Sequence, residues 1–244
     1  MLIQADMHTH TMASTHAYST ITENCRYAAE IGLKAIAMTD HTELMPDSPH
    51  IWHFRNMHRV IPRKLFGVTV VQGAEVNIAD YSGRLDMSEY NLGFLDWVVA
   101  SYHRHYFENY KTADPKTVTD GYLKALENTH IDMLGHPTAS TFPVEWERLV
   151  PAAKEAGVLL ELNESSINSG KSPKSIVAEM LTLCKKYSCP ISVDTDAHFW
   201  TLVGQTSSCE LAIQELEFPA DLIANADWEC IRARILKKRP ESGV

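Results

Sequence analysis

Apolar positions along the 244-residue chain fall into two alternating kinds of run. Seven runs are short and nearly continuous, several of them rich in Val and Ile: LIQADMH (2–8), KAIAMTD (34–40), VTVVQGAE (68–75), DWVVASY (96–102), HIDMLG (130–135), VLLELN (158–163) and PISVDTD (190–196). Such runs read as strands buried on both faces. Between most of them lie helical patterns with start and stop signals. Thr22 is placed to cap NCRYAAEI, which stops at Gly32. Asp114 precedes Pro115 at the first helical position of KTVTDGYLKALEN, and Ser172 precedes Pro173 in the same way before KSIVAEMLTLCKKY. VPAAKEA ends at Gly157, and residues 207–239 read as two or three helices broken near Pro219. Segment 43–63 has no clear period and reads as a long loop with room for a short helix. Long loops in compact domains are often functional.

Seven strands alternating with helices predict an α/β fold with a parallel sheet. No G-x-G-x-x-G follows the first strand and no P-loop occurs, so an open nucleotide-binding sheet gains no support. A closed seven-stranded (β/α) barrel is the expected architecture, with residues 1–244 as one domain and C-terminal helices from about 207.

Composition narrows the function classes. A formal charge of -9 disfavours a phosphate-backbone binder, which usually shows a basic face. Bound cations would offset that charge locally. The cysteines (Cys25, Cys184, Cys189, Cys209, Cys230) are scattered and odd in number, without C-x-x-C, so a reducing compartment is expected. MLIQADMHTH lacks a basic region followed by an apolar stretch, and no apolar run approaches about 18 residues. The expectation is a cytoplasmic protein with no membrane span. The one compositional departure is histidine, with 12 copies.

Those histidines gather at strand ends. The first run ends in His8-Thr-His10, the second in Asp40-His41, the third in Glu75, the fourth in His103, the fifth in His136 and the seventh in Asp196-Ala-His198. Barrel enzymes assemble their sites from the C-terminal ends of several strands, so one architectural assumption collects all of these residues. Residues i and i+2 on a strand share a face, so His8 and His10 can chelate one cation, as can Asp196 and His198. By the same rule Asp6 shares their face. Imidazole with carboxylate suits zinc, manganese or iron, and Glu75 has two oxygens with which to bridge two ions. A lone H-x-H is a chance motif, and an Asp at a strand end is commonly a helix cap. Six strand ends converging on ligand chemistry are not explained that way. His105 and His130 read as structural or solvated, while His50, His53 and His58 share the long loop and stay open.

The order and spacing resemble the PHP (polymerase and histidinol phosphatase) superfamily. The residues that carry the likeness are Asp6-Met-His8-Thr-His10, Thr39-Asp40-His41, Gly73-Ala-Glu75, Ser101-Tyr-His103, Gly135-His136-Pro137 and Thr195-Asp196-Ala-His198. The stretches 13–19, 52–57 and 161–166 are similar to its stand-alone bacterial phosphatase branch (YcdX-type), although Glu164 stands where that branch tends to carry Asn. Arg104-His105 after the fourth-strand histidine also departs from it. The resemblance implies a distorted seven-stranded TIM-like barrel holding three divalent ions, Zn2+ first and Mn2+ or Fe2+ next. One ion would take His8, His10, Glu75 and Asp196, a second Glu75, His103 and His136, and a third His16, His41 and His198. His16 comes from the resemblance alone. Homo-oligomers occur in the branch, so self-association is carried over as an expectation.

Such a cluster suits a small phosphomonoester, with water activated by the ions and no covalent nucleophile on the protein. Asp40, beside ligand His41, is the candidate catalytic acid/base, with an orienting role as the stronger reading. Arg55, Arg104 and Lys171 are candidates for holding substrate. The alternatives are a phosphodiesterase or nuclease, disfavoured by the acidic composition, and an amidohydrolase-type C–N hydrolase, disfavoured because no Lys ends a strand. A metal-binding protein without activity is a further reading, and the full ligand set speaks against it.

Overall fold

The computed structural model describes residues 2–107 and 113–244. Eight strands form one sheet: β1 (Ala5–Thr9), β2 (Ala35–Met38), β3 (Lys64–Leu65), β4 (Val68–Asn77), β5 (Trp97–Ser101), β6 (Met133–Leu134), β7 (Leu159–Asn163) and β8 (Ile191–Asp194). All but β3 run parallel, in the order β1-β2-β4-β5-β6-β7-β8, while β3 makes a short antiparallel pair with β4. The helices are α1 (Ile21–Glu30), α2 (Trp52–Val60), α3 (Glu89–Leu92), α4 (Pro115–Ala125), α5 (Trp146–Ala156), α6 (Glu164–Asn168), α7 (Lys174–Tyr187), α8 (Ser207–Glu215) and α9 (Trp228–Lys238). The seven parallel strands curl into a nearly closed (β/α) barrel, as the alternating pattern predicts. Apart from β4, which runs two residues past its apolar run, the strands are shorter than the runs, because runs such as 130–135 include turn residues flanking a two-residue β6. Within 43–63, α2 occupies nine residues.

The seam between β8 and β1 closes by two devices. Toward the C-terminal ends, the Asp196 N–H donates to the His8 carbonyl (2.8 Å) and the His10 N–H to the Ala197 carbonyl (2.9 Å). Deeper down, the Asn225 side chain stands in for a missing stretch of backbone. Its Nδ2 donates to the carbonyls of Ala5 (2.8 Å) and Val193 (2.7 Å), and its Oδ1 accepts from the Val193 N–H (3.0 Å). A primary amide has the donor and acceptor inventory of a peptide group, so Asn225 satisfies both strands at once.

Two apolar layers follow from strand alternation. Outward residues such as Ile36, Val70, Val98, Leu160 and Val193 pack under the helices. Inward residues Ala35, Ala37, Val71, Trp97, Val99, Met133 and Leu159 fill the lower barrel, and Trp228, Ile231 and Ile235 of α9 join this inner cluster. Along β4 the inward set runs Val71, Gly73, Glu75, Asn77, so the interior turns from apolar to polar toward the strand ends. A Cβ on Gly73 would lie 2.7 Å from the Trp97 carbonyl, which explains the glycine.

Two helix starts differ from expectation. Thr20, not Thr22, caps α1, because Thr20-Ile-Thr-Glu23 forms a reciprocal capping box. Helix α7 starts at Lys174, with Pro173 at the cap and the Ser172 hydroxyl turned to Thr138 (2.8 Å). Asp114 caps α4 through the Thr117 N–H, with Pro115 at the first position, as read.

Candidate metal centre

The site starts with an irregularity in β1. Asp6 pairs with Ile36, but Thr9 pairs with Met38, so three steps on β1 face two on β2. This β-bulge breaks strict alternation. Met7 packs in the inner cluster, and His8 also turns inward, while Asp6 faces outward. The expectation that Asp6 shares a face with His8 and His10 is therefore corrected. Its carboxylate accepts from the Thr195 N–H, the Thr195 hydroxyl (2.6 Å) and the Gly204 N–H, tying β1 to the segment after β8.

The nine residues expected as ligands converge at the C-terminal mouth. His8 Nε2 lies 3.2 Å from His10 Nε2, 3.5 Å from Glu75 Oε2 and 3.7 Å from Asp196 Oδ1. His10 Nε2 lies 3.7 Å from Glu75 Oε2 and 3.0 Å from Asp196 Oδ1. Four donors around a tetrahedral zinc at 2.0–2.1 Å would stand about 3.3–3.4 Å apart; the spacings among His8, His10 and Glu75, and of Asp196 from both histidines, have that spread. The other Glu75 oxygen, Oε1, faces His136 Nε2 (2.9 Å) and His103 Nε2 (3.4 Å). Farther out, His16 Nε2 lies 2.7 Å from His198 Nε2, and the His16 and His41 rings stack at 5.2 Å. His41 Nδ1 also lies 2.8 Å from Glu75 Oε2, so His41 stands between the inner and outer groups.

The donor chemistry fits divalent cations. Buried Glu75 Oε2 and His41 Nδ1 approach each other without hydrogen-bond geometry. Nitrogen facing nitrogen, as in His8–His10 and His16–His198, is what lone pairs aimed at a shared cation produce. Charge agrees. Burial outweighs all else at His10, and with the neighbouring His41 it holds the imidazole down at about 3. Burial likewise keeps His103 at about 4. Both rings stay neutral, as ligands must. Glu75 and Asp196 are held well below the usual carboxylate range: burial opposes ionisation, but His103 and His8 prevail at Glu75, and His8 and His10 at Asp196. Burial lowers His8 too, yet the charges of Glu161, Glu75 and Asp196 raise it well above the usual value. A bound cation would compete with that proton.

Backbone and small residues aim this set. His136 (φ 32) and Asp196 (φ 54) both adopt the left-handed region. Non-glycine residues rarely do so, and such strain clusters at functional sites. At His136 the turn brings inward a side chain that would otherwise follow Leu134 to the outer face. A Cβ on Gly135 would sit 2.2 Å from Ser101 Oγ and 2.8 Å from Val99 Cγ1, so glycine lets the turn before His136 pack closely against β5.

Several partners escaped the sequence reading. Glu161 Oε1 lies 2.8 Å from His8 Nδ1, while its Oε2 accepts from the His136 N–H (2.5 Å). Asn77 Oδ1 lies 2.8 Å from His103 Nδ1, and Asp47 Oδ2 lies 2.5 Å from His16 Nδ1. Carboxylates and amides behind ligating imidazoles fix their tautomer and orientation. Glu161 and Asn77 had a signal, since each is a polar residue on the inward face of a buried strand. Asp47 had none.

Asp40 is buried and does not line the cavity. It accepts from the Thr11 N–H (2.8 Å), the Thr11 hydroxyl (2.7 Å) and the Ser14 hydroxyl (2.8 Å), with His53 Nε2 at 3.2 Å. Burial would raise its carboxyl, but the His53 bond and the Thr11 N–H hold it at about 2. Arg104, His105 and Lys171 line the mouth. His105 was read as structural or solvated, and it stands at the cavity. Arg55 is turned away, bonded to Asn91 and stacked over Tyr90. His58 stacks on Phe94, and His130 faces Glu89. Glu164 caps α8 through the Ser208 and Cys209 N–H groups, which gives this glutamate a structural reason.

Residues 6–165 match the PHP domain family. The chain belongs to that family. This PHP domain is 39% identical over 228 residues to a probable phosphatase of Clostridium novyi, covering 91% of this chain and 90% of that one. It is 37% identical to a probable phosphatase of Caldanaerobacter subterraneus, covering 98% and 93%. Among solved structures, the histidinol phosphate phosphatase of Lactococcus lactis, complexed with zinc, L-histidinol and phosphate, superposes with a TM-score of 0.63 at 16% identity, covering 88% of this chain and 94% of that one. A chain of archaeal ribonuclease P superposes at 0.59 with 14% identity, covering 98% and 96%. The fold is thus shared by very different assemblies, and function has to be argued from the site.

Proposed function

We propose that this PHP domain is a metal-dependent phosphatase acting on small phosphomonoesters. The observation that carries the reading is the convergence of nine ligand-type side chains, seven of them lining one small cavity and His8 and His10 buried beside them, with Glu75 presenting one oxygen to each of two imidazole groups. Close relatives being probable phosphatases supports the same class. His8, His10, Glu75 and Asp196 would hold one ion, Glu75, His103 and His136 a second, and His16, His41 and His198 a third. Zinc fits the donor set and accompanies the Lactococcus lactis neighbour. Such ions, when bound, lower the pKa of water toward neutrality and offset phosphoryl charge.

The chain's own residues do the rest. Glu161, Asn77 and Asp47 orient His8, His103 and His16. Asp40 acts as a positioning residue: with both oxygens engaged it holds the loop from Thr11 to Ser14, and hence His10 and His16, in place. The cavity measures ≈ 200 Å³, below the about 300–1,000 Å³ of common ligand pockets, which favours a small leaving group over a polynucleotide. No helix among the described residues is long and apolar enough to cross a membrane.

The test is metal analysis followed by assays of phosphomonoesters, phosphodiesters and N-acyl substrates on one preparation. Phosphate release from monoesters that disappears in His41→Ala is expected. Turnover of diesters or amides alone would refute the reading.

A further inference from the structure

The mouth of the cavity carries charge that metal binding does not use. Arg104 opens the turn directly after ligand His103. Lys171 follows α6, and its carbonyl accepts from the Ser140 N–H (2.9 Å), which ties it to the loop after ligand His136. Both cations are therefore carried by segments that the metal-ligand loops anchor. Both are exposed, and neither forms an ion pair among the described residues. Arg26, Arg55, Arg59 and Arg234 likewise form no ion pair among the described residues, but of the arginines it is Arg104 that lines this cavity. Among the described residues the carboxylates lining the cavity are Glu75 and Asp196, and both are turned into the ligand set.

We propose that Arg104 and Lys171 select phosphomonoesters whose leaving group carries a second anionic group, a carboxylate or another phosphate. The inference rests on the phosphatase reading. A leaving group with an ammonium would meet two cations here, and among the described residues no carboxylate outside the ligand set lines the cavity to receive it. Guanidinium and ammonium groups recognise carboxylate and phosphate by charge-assisted hydrogen bonds. This separates the chain from its Lactococcus lactis neighbour, whose complex holds L-histidinol, an amino alcohol.

The experiment compares kcat/KM of the zinc-loaded protein for p-nitrophenyl phosphate, phosphoglycerate, glycerol phosphate, phosphoethanolamine and histidinol phosphate. Phosphoglycerate should exceed glycerol phosphate by about tenfold, and glycerol phosphate should exceed both cationic esters, the scale of one or two screened charge contacts. Arg104→Gln and Lys171→Gln should each compress the phosphoglycerate-to-glycerol phosphate ratio. Lys171→Glu should shift the preference toward phosphoethanolamine, a gain that misfolding cannot produce. No turnover of any monoester, p-nitrophenyl phosphate included, overturns the phosphatase reading and this inference with it. Turnover with cationic esters equal to or above anionic ones, or ratios unmoved by all three substitutions, overturns the inference alone.

Discussion

Replacing Asn225 with alanine should cost this barrel several kcal/mol while leaving its ligands in place. The side chain is fully buried and serves three backbone groups: the N–H and carbonyl of Val193 and the carbonyl of Ala5. Alanine leaves all three without that partner. Each buried group left unsatisfied costs about 1–3 kcal/mol, and a water entering the vacated volume would recover part of it. The expected loss is about 3–6 kcal/mol, which in a chain of this size lowers Tm by roughly 6–20 °C. Urea and thermal unfolding followed by circular dichroism measure it. The upper seam has its own bonds from Asp196 and His10, so folded Asn225→Ala should still bind zinc in the wild-type ratio. Asn225→Asp keeps the volume but turns carboxylate oxygens toward two carbonyls and toward Asp194 Oδ1, now 3.2 Å from Nδ2. Its folded-state pKa would be raised, so its extra destabilisation should grow as pH rises above the ordinary aspartate value. A loss under about 1 kcal/mol for Asn225→Ala would refute the amide's role as a substitute for backbone.

Chelation should lower Tm by several degrees and zinc should restore it, because removing a ligand that binds only the folded state lowers stability by mass action; an unchanged Tm would contradict a buried metal centre. Glu161→Gln should weaken zinc binding about 10–100-fold in competition with a chromophoric chelator, since one amide cannot accept from both His8 and the His136 N–H. With a thiol reagent on the native protein, Cys230 should react fast and the four buried cysteines slowly; a second fast thiol would contradict the packing. Burial pushes the Cys25 thiol up to about 12. A raised thiol contributes stability that is full below the ordinary value near 9 and is lost as pH climbs toward 12. Cys25→Ala should therefore flatten the alkaline limb of a stability–pH curve, and identical limbs would count against it.

Most of the barrel was legible because burial on both faces writes continuous apolar runs, and each run could be followed to its polar end. Six such ends held ligand types, which is why eight of the nine converging residues could be named from strand position alone. His16 could not, since it sits in a loop whose path is fixed by Asp40, Thr11 and Ser14. Asp47 is the same case one loop farther on: its value depends on where the segment after β2 folds back, and no periodicity encodes that.

The bulge in β1 shows the sharper limit. Period-two logic placed His8 and His10 correctly, but it did so by treating β1 as regular, and that same logic put Asp6 beside them. The extra residue between Asp6 and Thr9 reverses the face of everything before it. His8, within the bulge, and His10, beyond it, both turn inward, while Asp6 is released to the outer side, where it binds Thr195 and Gly204. One inserted residue therefore divides D-x-H-x-H between two tasks. The histidines are turned inward to Glu75, and the aspartate fastens β1 to the segment that carries Asp196 and His198. That coupling holds His8 and His10 beside Asp196 across the one seam of the described sheet that has no continuous ladder of its own.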